Sequence, residues 1–177
     1  MRRIARTVTI IIIIVLILVM CSGCYSAPPE IKSGEFPFVV EYEYEGKKYV
    51  IEDIAVCTYE GLNPDSGISM RWYSCDLKND SNVRMITFEA NTESLLVQGR
   101  INNKSYVTLY CGDGGYYLGD HLYRDSEPCI YYVERYNTSP KSIRIEDTKL
   151  TNEQLEQLFG IKIIRFEFSE PIENKFG

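Results

Sequence analysis

Over most of its length the chain alternates hydrophobic and polar residues with a period of two. The alternation is clearest in residues 36–44, where aromatic and aliphatic side chains are separated by Pro37, Val39 and glutamates. This pattern predicts a strand with one face in the core and an acidic face in solvent. Glu45-Gly46-Lys47 has turn chemistry and residues 48–59 resume an extended pattern, so the two segments predict a β-hairpin.

Turn-forming residues divide the rest of the chain into further short segments rich in β-forming side chains. These predicted strands comprise residues 68–77, 83–90, 95–101, 105–111, 116–118, 129–136, 142–145 and 161–168. A series of short strands joined by tight turns favours antiparallel pairing.

One helix is predicted near the C-terminus. Thr151 and Gln154 have the spacing of a capping box, and Gly160 supplies a stop. Leu155, Leu158 and Phe159 share one helical face, which a helix this short must pack against a sheet. The fold is therefore predicted to be mainly β, an antiparallel sandwich or partly open barrel with one short C-terminal helix, with an α+β sheet as the alternative.

The N-terminus has the composition of an export signal. Arginines at positions 2, 3 and 6 precede an apolar run over residues 8–20, in which Thr9 is the one polar residue. A basic start, a short apolar core and small residues before a cut site are typical of a secretory signal. The run is too short to span a bilayer comfortably, which takes about 20 apolar residues.

The end of the apolar run, Ser22-Gly23-Cys24, resembles the lipobox of bacterial lipoproteins, although Cys21 stands where that family usually has leucine. The resemblance implies cleavage before Cys24, a diacylglycerol on its thiol, and anchoring to the outer face of the cytoplasmic membrane. Cys21 is the alternative anchor, disfavoured because bulky Met20 would precede the cut. An uncleaved membrane anchor and a plain secretory signal also remain open.

These observations predict three regions. They are a signal peptide (1–23), a lipid-anchored tether containing prolines and small polar residues (24–35) and one strand-rich domain (36–177). The strings at 36–44, 117–120 and 166–172 also resemble uncharacterised small lipoproteins of gut Firmicutes. That resemblance implies a membrane-tethered domain and no particular activity.

The net charge narrows the range of partners. It is −6 for the whole chain, and removal of the three signal-peptide arginines makes it −9 for the mature part. An acidic domain repels phosphate backbones, so nucleic acid is excluded as a partner. The same charge argues against a broad electrostatic contact with anionic lipid.

Four cysteines follow the proposed anchor, at positions 57, 75, 111 and 129. Outside the cytoplasm they could form disulfides, for which three pairings exist. They could equally be buried free thiols. With no C-x-x-C pair and no neighbouring histidine, they do not form a recognisable zinc site.

His121 is the only histidine in the chain. In the sequence it is flanked by four acidic residues, Asp113, Asp120, Asp125 and Glu127. Neither a metal-ligand spacing nor a nucleophile elbow accompanies it, and the glycine-rich strings match no nucleotide-binding fingerprint. No catalytic residue, metal ligand or cofactor is therefore predicted, and a small envelope hydrolase with a site near His121 is the alternative function.

Fourteen tyrosines, all beyond the signal peptide, are the unusual feature of the composition. An exposed aromatic strip could bind a sugar or a protein loop, whereas cross-strand pairing would explain the same residues structurally. The predicted function is a lipid-anchored, non-enzymatic binding module of the cell envelope, contacting an unknown protein or an envelope polymer.

Overall fold

The structure is a computed structural model that describes residues 27–63, 70–89, 92–139 and 142–176. Eight strands form two antiparallel sheets of four, with the orders β3-β2-β1-β8 and β4-β5-β6-β7. The strands are β1 Ser33–Tyr44, β2 Lys47–Leu62, β3 Arg71–Leu77, β4 Arg84–Thr87, β5 Lys104–Tyr110, β6 Cys129–Ser139, β7 Ser142–Leu150 and β8 Lys162–Phe168. The helices are α1 Gly114–Tyr117 and α2 Asn152–Phe159, and His121–Tyr123 forms a 3-10 turn.

The two sheets share a hydrophobic core, as expected for the predicted mainly β fold. Phe38, Val40 and Tyr42 of β1 pack in one buried cluster with Val107 of β5 and Tyr132 of β6. The Tyr42 hydroxyl also donates to the carbonyl oxygen of Met85 on the other sheet, at 3.1 Å. The sheets are separate rather than closed on themselves, so the arrangement is of the sandwich type and not a barrel.

The predicted N-terminal hairpin is confirmed. β1 and β2 pair from Ser33 opposite Thr58 to Tyr44 opposite Lys47, across a turn at Glu45 and Gly46. β1 starts at Ser33, three residues before the hydrophobic alternation begins at Phe36. The strand is longer than the alternation because residues 33–35 also pair with β2.

The C-terminal helix α2 has the predicted ends. The Thr151 side chain accepts from the Gln154 amide, the Gln154 side chain accepts from the Thr151 amide, and Gly160 adopts the left-handed conformation with φ 67°. Leu155 is fully buried, but Leu158 is 58% exposed and does not belong to the packed face. Two buried aliphatic residues, Leu150 before the helix and Ile161 after it, complete the contact with the core.

Two predicted strands are wrong. Residues 95–101 form a turn-rich loop, in which only an isolated bridge joins Glu93 to Ile101. The buried Glu134 carboxylate binds this loop through the Leu95 amide and the Ser94 hydroxyl, at 2.8 and 2.6 Å, so the loop cannot join a sheet edge.

Residues 116–118 are not extended either. Tyr116 and Tyr117 lie in α1, whose N-cap Asp113 accepts from the Gly115 amide at 2.7 Å. A Cβ on Gly114 would lie 2.5 Å from the Ser74 carbonyl oxygen. A glycine there lets α1 approach β3 closely. The segment therefore forms a helical turn packed against the sheet that contains β3, rather than a strand.

The two described ends of the chain lie side by side. Pro29 and Phe176 form a β-bridge, and the Glu30 amide donates to the Lys175 carbonyl at 2.9 Å. The Asn174 side chain donates to the carbonyls of Ile31 and Leu118, at 2.7 and 2.9 Å. Residues 29–31, which precede β1, are thus held by the folded domain. No helix within the described ranges is long and apolar enough to cross a bilayer.

Candidate functional site

His121 lies on the surface and does not gather a set of carboxylates around it. Its side chain is 65% exposed, and its Nδ1 is 3.7 Å from Oδ1 of Asp120. Asp120 is the only carboxylate with an ion-pair contact to it among the described residues. The sequence alternative of an acid/base site near His121 therefore depends on whether Asp120 is available for chemistry.

The Asp120 carboxylate is part of a buried hydrogen-bond network. Its oxygens accept from Nε and Nη2 of Arg71, at 2.6 and 2.9 Å, and from the Tyr73 hydroxyl at 2.9 Å. The Leu122 amide donates to the same carboxylate at 3.1 Å. Burial alone would raise the pKa of Asp120, but the Arg71 guanidinium and the other donors lower it below its ordinary value. The carboxylate is thus a fixed anion without a free lone pair for a substrate proton.

Two of the other carboxylates near His121 in sequence also have structural partners. Asp113 caps α1, and Glu127 accepts from Lys149 at 2.8 Å on the surface. Over the described parts of the chain, no three histidine, cysteine or acidic side chains converge as metal ligands would. The structure does not bring the candidate acid/base residues together.

The tyrosines supply core packing rather than an exposed strip. Six of the thirteen described tyrosines are buried and six more are half-buried. Tyr49 is the one exposed tyrosine among these thirteen, and its ring stacks on Tyr42 with centroids 5.1 Å apart. Structural pairing of aromatic residues, one of the two interpretations of the sequence, accounts for most of them.

An open groove runs beside edge strand β8 and is the candidate contact surface. We call it the β8 groove. It comprises three adjoining depressions of about 270, 210 and 260 Å3. Phe168 and Ser169 line the first and second depressions, and Pro128 and Phe166 line the second and third. The shared residues make the three depressions one continuous surface.

The floor of the β8 groove is aromatic because alternate residues of β8 point to the same side. Phe168 lies opposite Phe38 of β1 and stacks on it, with ring centroids 4.9 Å apart and planes 6° from parallel. The ring of Phe166 is 4.9 Å from that of Phe168, and Phe166 remains 37% exposed. Tyr116 of α1 and Pro128, which precedes β6, complete the apolar lining.

Three glutamates, Glu127, Glu167 and Glu170, line the rim of the β8 groove. Glu127 pairs with Lys149 and Glu167 with Arg165, so surface cations neutralise two of these three charges. Burial and then the negative charges of Glu170 and Glu127 raise the pKa of Tyr116. An aromatic floor with glutamates along its rim can contact apolar groups flanked by basic or neutral polar groups.

Sequence reasoning did not identify this groove. The alternation of Phe166, Glu167 and Phe168 was visible as a strand pattern, but Tyr116 and Pro128 come from distant parts of the chain. Cys24, the predicted lipid-attachment residue, lies outside the described residues. Comparison with known protein families, with curated proteins and with solved structures gives no match.

Proposed function

We propose that this protein is a lipid-anchored binding module on the outer face of the cytoplasmic membrane, with Cys24 as the acylated residue. The observation that carries the proposal is the position of Ser22-Gly23-Cys24. It follows the apolar run and comes three residues before Ala27, the first described residue. Cleavage before Cys24 would therefore remove none of the folded domain.

The anchor would hold the domain close to the membrane. The Ala27 carbonyl accepts from Nη1 of Arg71 at 3.3 Å, so the chain is attached to the domain at that point. Three residues reach at most about 10 Å when fully extended. Two or three acyl chains on Cys24 would anchor it firmly, since each buried methylene contributes about 0.8 kcal/mol.

The β8 groove supports binding rather than catalysis. Its depressions are shallow, open and adjoining, whereas sites for compact small molecules usually enclose about 300–1,000 Å3. The exposed Phe166 ring offers an aromatic contact of the kind that dominates protein interfaces. A protein segment with apolar side chains and a basic side chain opposite Glu170 fits the aromatic floor and this rim. An uncharged envelope polymer is the alternative partner.

The anchor is tested by intact mass and membrane fractionation of the full chain expressed in a bacterium. The wild type should begin at Cys24 and carry a diacylglycerol. Cys24→Ser should lose both cleavage and acylation, while the matched control Cys21→Ser should keep both. Unchanged processing and acylation of Cys24→Ser would overturn the proposed anchor.

The groove is tested with a photoreactive amino acid introduced at Ser169. Irradiation of cells should give a protein adduct that Phe166→Ala abolishes. Ile143→Ala, a control on the exposed part of β7 away from the groove, should leave it unchanged. If digestion with a cell-wall hydrolase reduces the mass of the adducts, the partner is an envelope polymer rather than a protein. An adduct insensitive to Phe166→Ala would overturn the groove assignment.

A further inference from the structure

Cys57 and Cys75 face each other across neighbouring strands of the first sheet. They are directly opposite in the register of β2 and β3, and their Sγ atoms are 2.7 Å apart. A disulfide requires about 2.05 Å between the sulfurs. A shift of roughly 0.7 Å, within the freedom of two χ1 rotations, would join them.

The ladder places this pair at a position that accommodates a disulfide. One step beyond the pair Ala55–Leu77, the Lys78 amide donates to the Ile54 carbonyl at 3.0 Å. Hydrogen-bonded and non-hydrogen-bonded pairs alternate along an antiparallel ladder, so Cys57 and Cys75 form a non-hydrogen-bonded pair. Such pairs have Cα atoms about 4.5 Å apart, which lies inside the range that disulfides span.

The two thiols differ in access and acidity. Cys57 is fully buried beside Phe36 and Tyr117, whereas Cys75 is half-buried. The hydrogen bond between the thiols lowers the pKa of Cys75 and raises that of Cys57, to which burial also contributes. Cys75 is therefore the thiol that an external oxidant reaches first and in the more reactive form.

The other two cysteines lie on opposite sides of the second sheet. Leu109 and Ile130 face the core. By the alternation along β5 and β6, Cys111 then points inward, where it packs on that core, and Cys129 points outward beside Tyr131. Burial raises the pKa of Cys111 to about 12, which leaves it unreactive. Cys111 and Cys129 therefore do not face each other, and Cys57 and Cys75 are the two cysteines that the strand register and the contact between their sulfurs bring together.

We propose that Cys57 and Cys75 form an interstrand disulfide in the exported protein, with Cys111 and Cys129 remaining free thiols. The inference rests on the proposed extracytoplasmic location, because the oxidant is a disulfide of the general form R–S–S–R, which persists there.

The bond forms by two exchange steps. The Cys75 thiolate attacks one sulfur of the oxidant, which gives a mixed disulfide and releases one R–S anion. The Cys57 thiol loses its proton to that anion, attacks Sγ of Cys75 and releases the second R–S anion, which takes up a proton from water. Two protein thiols are oxidised and the oxidant is reduced to two thiols.

The bond is tested by differential alkylation of the full chain. Cells are quenched in acid, and the denatured protein is labelled with one alkylating reagent, reduced, and labelled with a second. Cys57 and Cys75 should take only the second label and appear before reduction as one cross-linked peptide, two hydrogen atoms lighter. Cys111 and Cys129 should take the first label. First-label modification of Cys57 and Cys75, or a bond to Cys111 or Cys129, would overturn the inference.

A second arm separates this inference from the proposed location. The full chain, extracted in detergent and reduced without denaturation, is exposed to glutathione disulfide. Cys111→Ser should oxidise like the wild type, and Cys57→Ser should leave Cys75 as a glutathione adduct. Failure of the wild type to form the bond here would overturn the pairing, whatever the Cys24 experiment shows. Formation here but not in cells would overturn the extracytoplasmic location and, with it, the disulfide of the exported protein.

Discussion

Arg71 and Asp120 form a bidentate ion pair inside the domain, 49 residues apart in sequence. Nε and Nη2 of Arg71 lie 2.6 and 2.9 Å from the two oxygens of Asp120, and the guanidinium also covers the ring of Phe176 at 4.4 Å. The pair connects β3 to the turn that follows α1, and it brings the C-terminal segment and Ala27 to the same place.

Asp120→Asn should strongly destabilise the protein. The substitution leaves the buried Arg71 charge without its counterion, and removal of one partner from a buried pair costs about 3–5 kcal/mol. The free energy of unfolding, measured by urea denaturation, should fall by that amount. Glu35→Gln, which breaks the exposed pair between Lys78 and Glu35, should cost less than about 1 kcal/mol. Equal losses for the two variants would contradict the role assigned to Asp120.

Asp53 should make stability depend on pH below 4. Its carboxylate is buried, which would raise its pKa, but donors from Ile54, Ser81 and Asn79 lower the pKa to about 2. A depressed pKa in the folded state stabilises the protein above the ordinary value of 3.8, and this contribution disappears as pH falls towards 2. It amounts to about 2–3 kcal/mol, since one pKa unit corresponds to ~1.4 kcal/mol.

Urea denaturation across this pH range measures the effect. Asp53→Asn should lower stability at pH 7 and reduce the loss between pH 4 and pH 2. Glu52→Gln, the neighbouring exposed carboxylate of β2, should change neither. A wild-type slope that persists in Asp53→Asn would assign the acid sensitivity to other groups.

Ser94→Ala should loosen the loop at residues 92–101 without unfolding the sheets. The Ser94 hydroxyl contacts Glu134 at 2.6 Å and accepts from the amides of Leu96 and Val97, at 3.1 and 2.7 Å. Hydrogen exchange at those two amides should accelerate on the order of tenfold or more, since each lost hydrogen bond is worth roughly 1 kcal/mol. Ser74→Ala, which removes an exposed hydrogen bond to Glu60, should leave them unchanged. Unaltered exchange in Ser94→Ala would show that other contacts order the loop.

Gly119→Ala should be far more damaging than Gly99→Ala. Both glycines have left-handed φ angles, 73° and 72°, so alanine costs about 1–2 kcal/mol at either position. A Cβ on Gly119 would lie 2.3 Å from the Ile172 carbonyl oxygen, whereas one on Gly99 meets no atom within 4 Å. The urea midpoint should therefore fall much further for Gly119→Ala. Similar midpoints would mean that the segment around Ile172 moves aside at little cost.

The sequence predicted those features that local interactions determine. The β1–β2 hairpin and the Thr151 cap depend on residues close in the chain, and both formed as expected. The loop at 95–101 has apolar alternation, but Glu134, about forty residues away, binds its backbone and prevents strand formation. Likewise α1 depends on the side chain of Asp113 and on close contact with Ser74, which periodicity does not reveal.

The candidate surface was less predictable than the fold. Phe166 and Phe168 stood out only as alternating strand residues. Their neighbours Tyr116 and Pro128 reach them through tertiary packing, and no spacing in the sequence records it. The Cys57–Cys75 pairing needed the strand register, because the sequence alone left three pairings open.

The adjacency of the two described chain ends has a practical consequence for engineering. Because Phe176 pairs with Pro29 beside Ala27, a reporter fused after Phe176 would emerge next to the proposed lipid anchor and, with that anchor in place, be crowded against the lipid headgroups. An epitope inserted in the turn at Glu45 and Gly46, between β1 and β2, would avoid that junction and leave both ends of the chain unmodified.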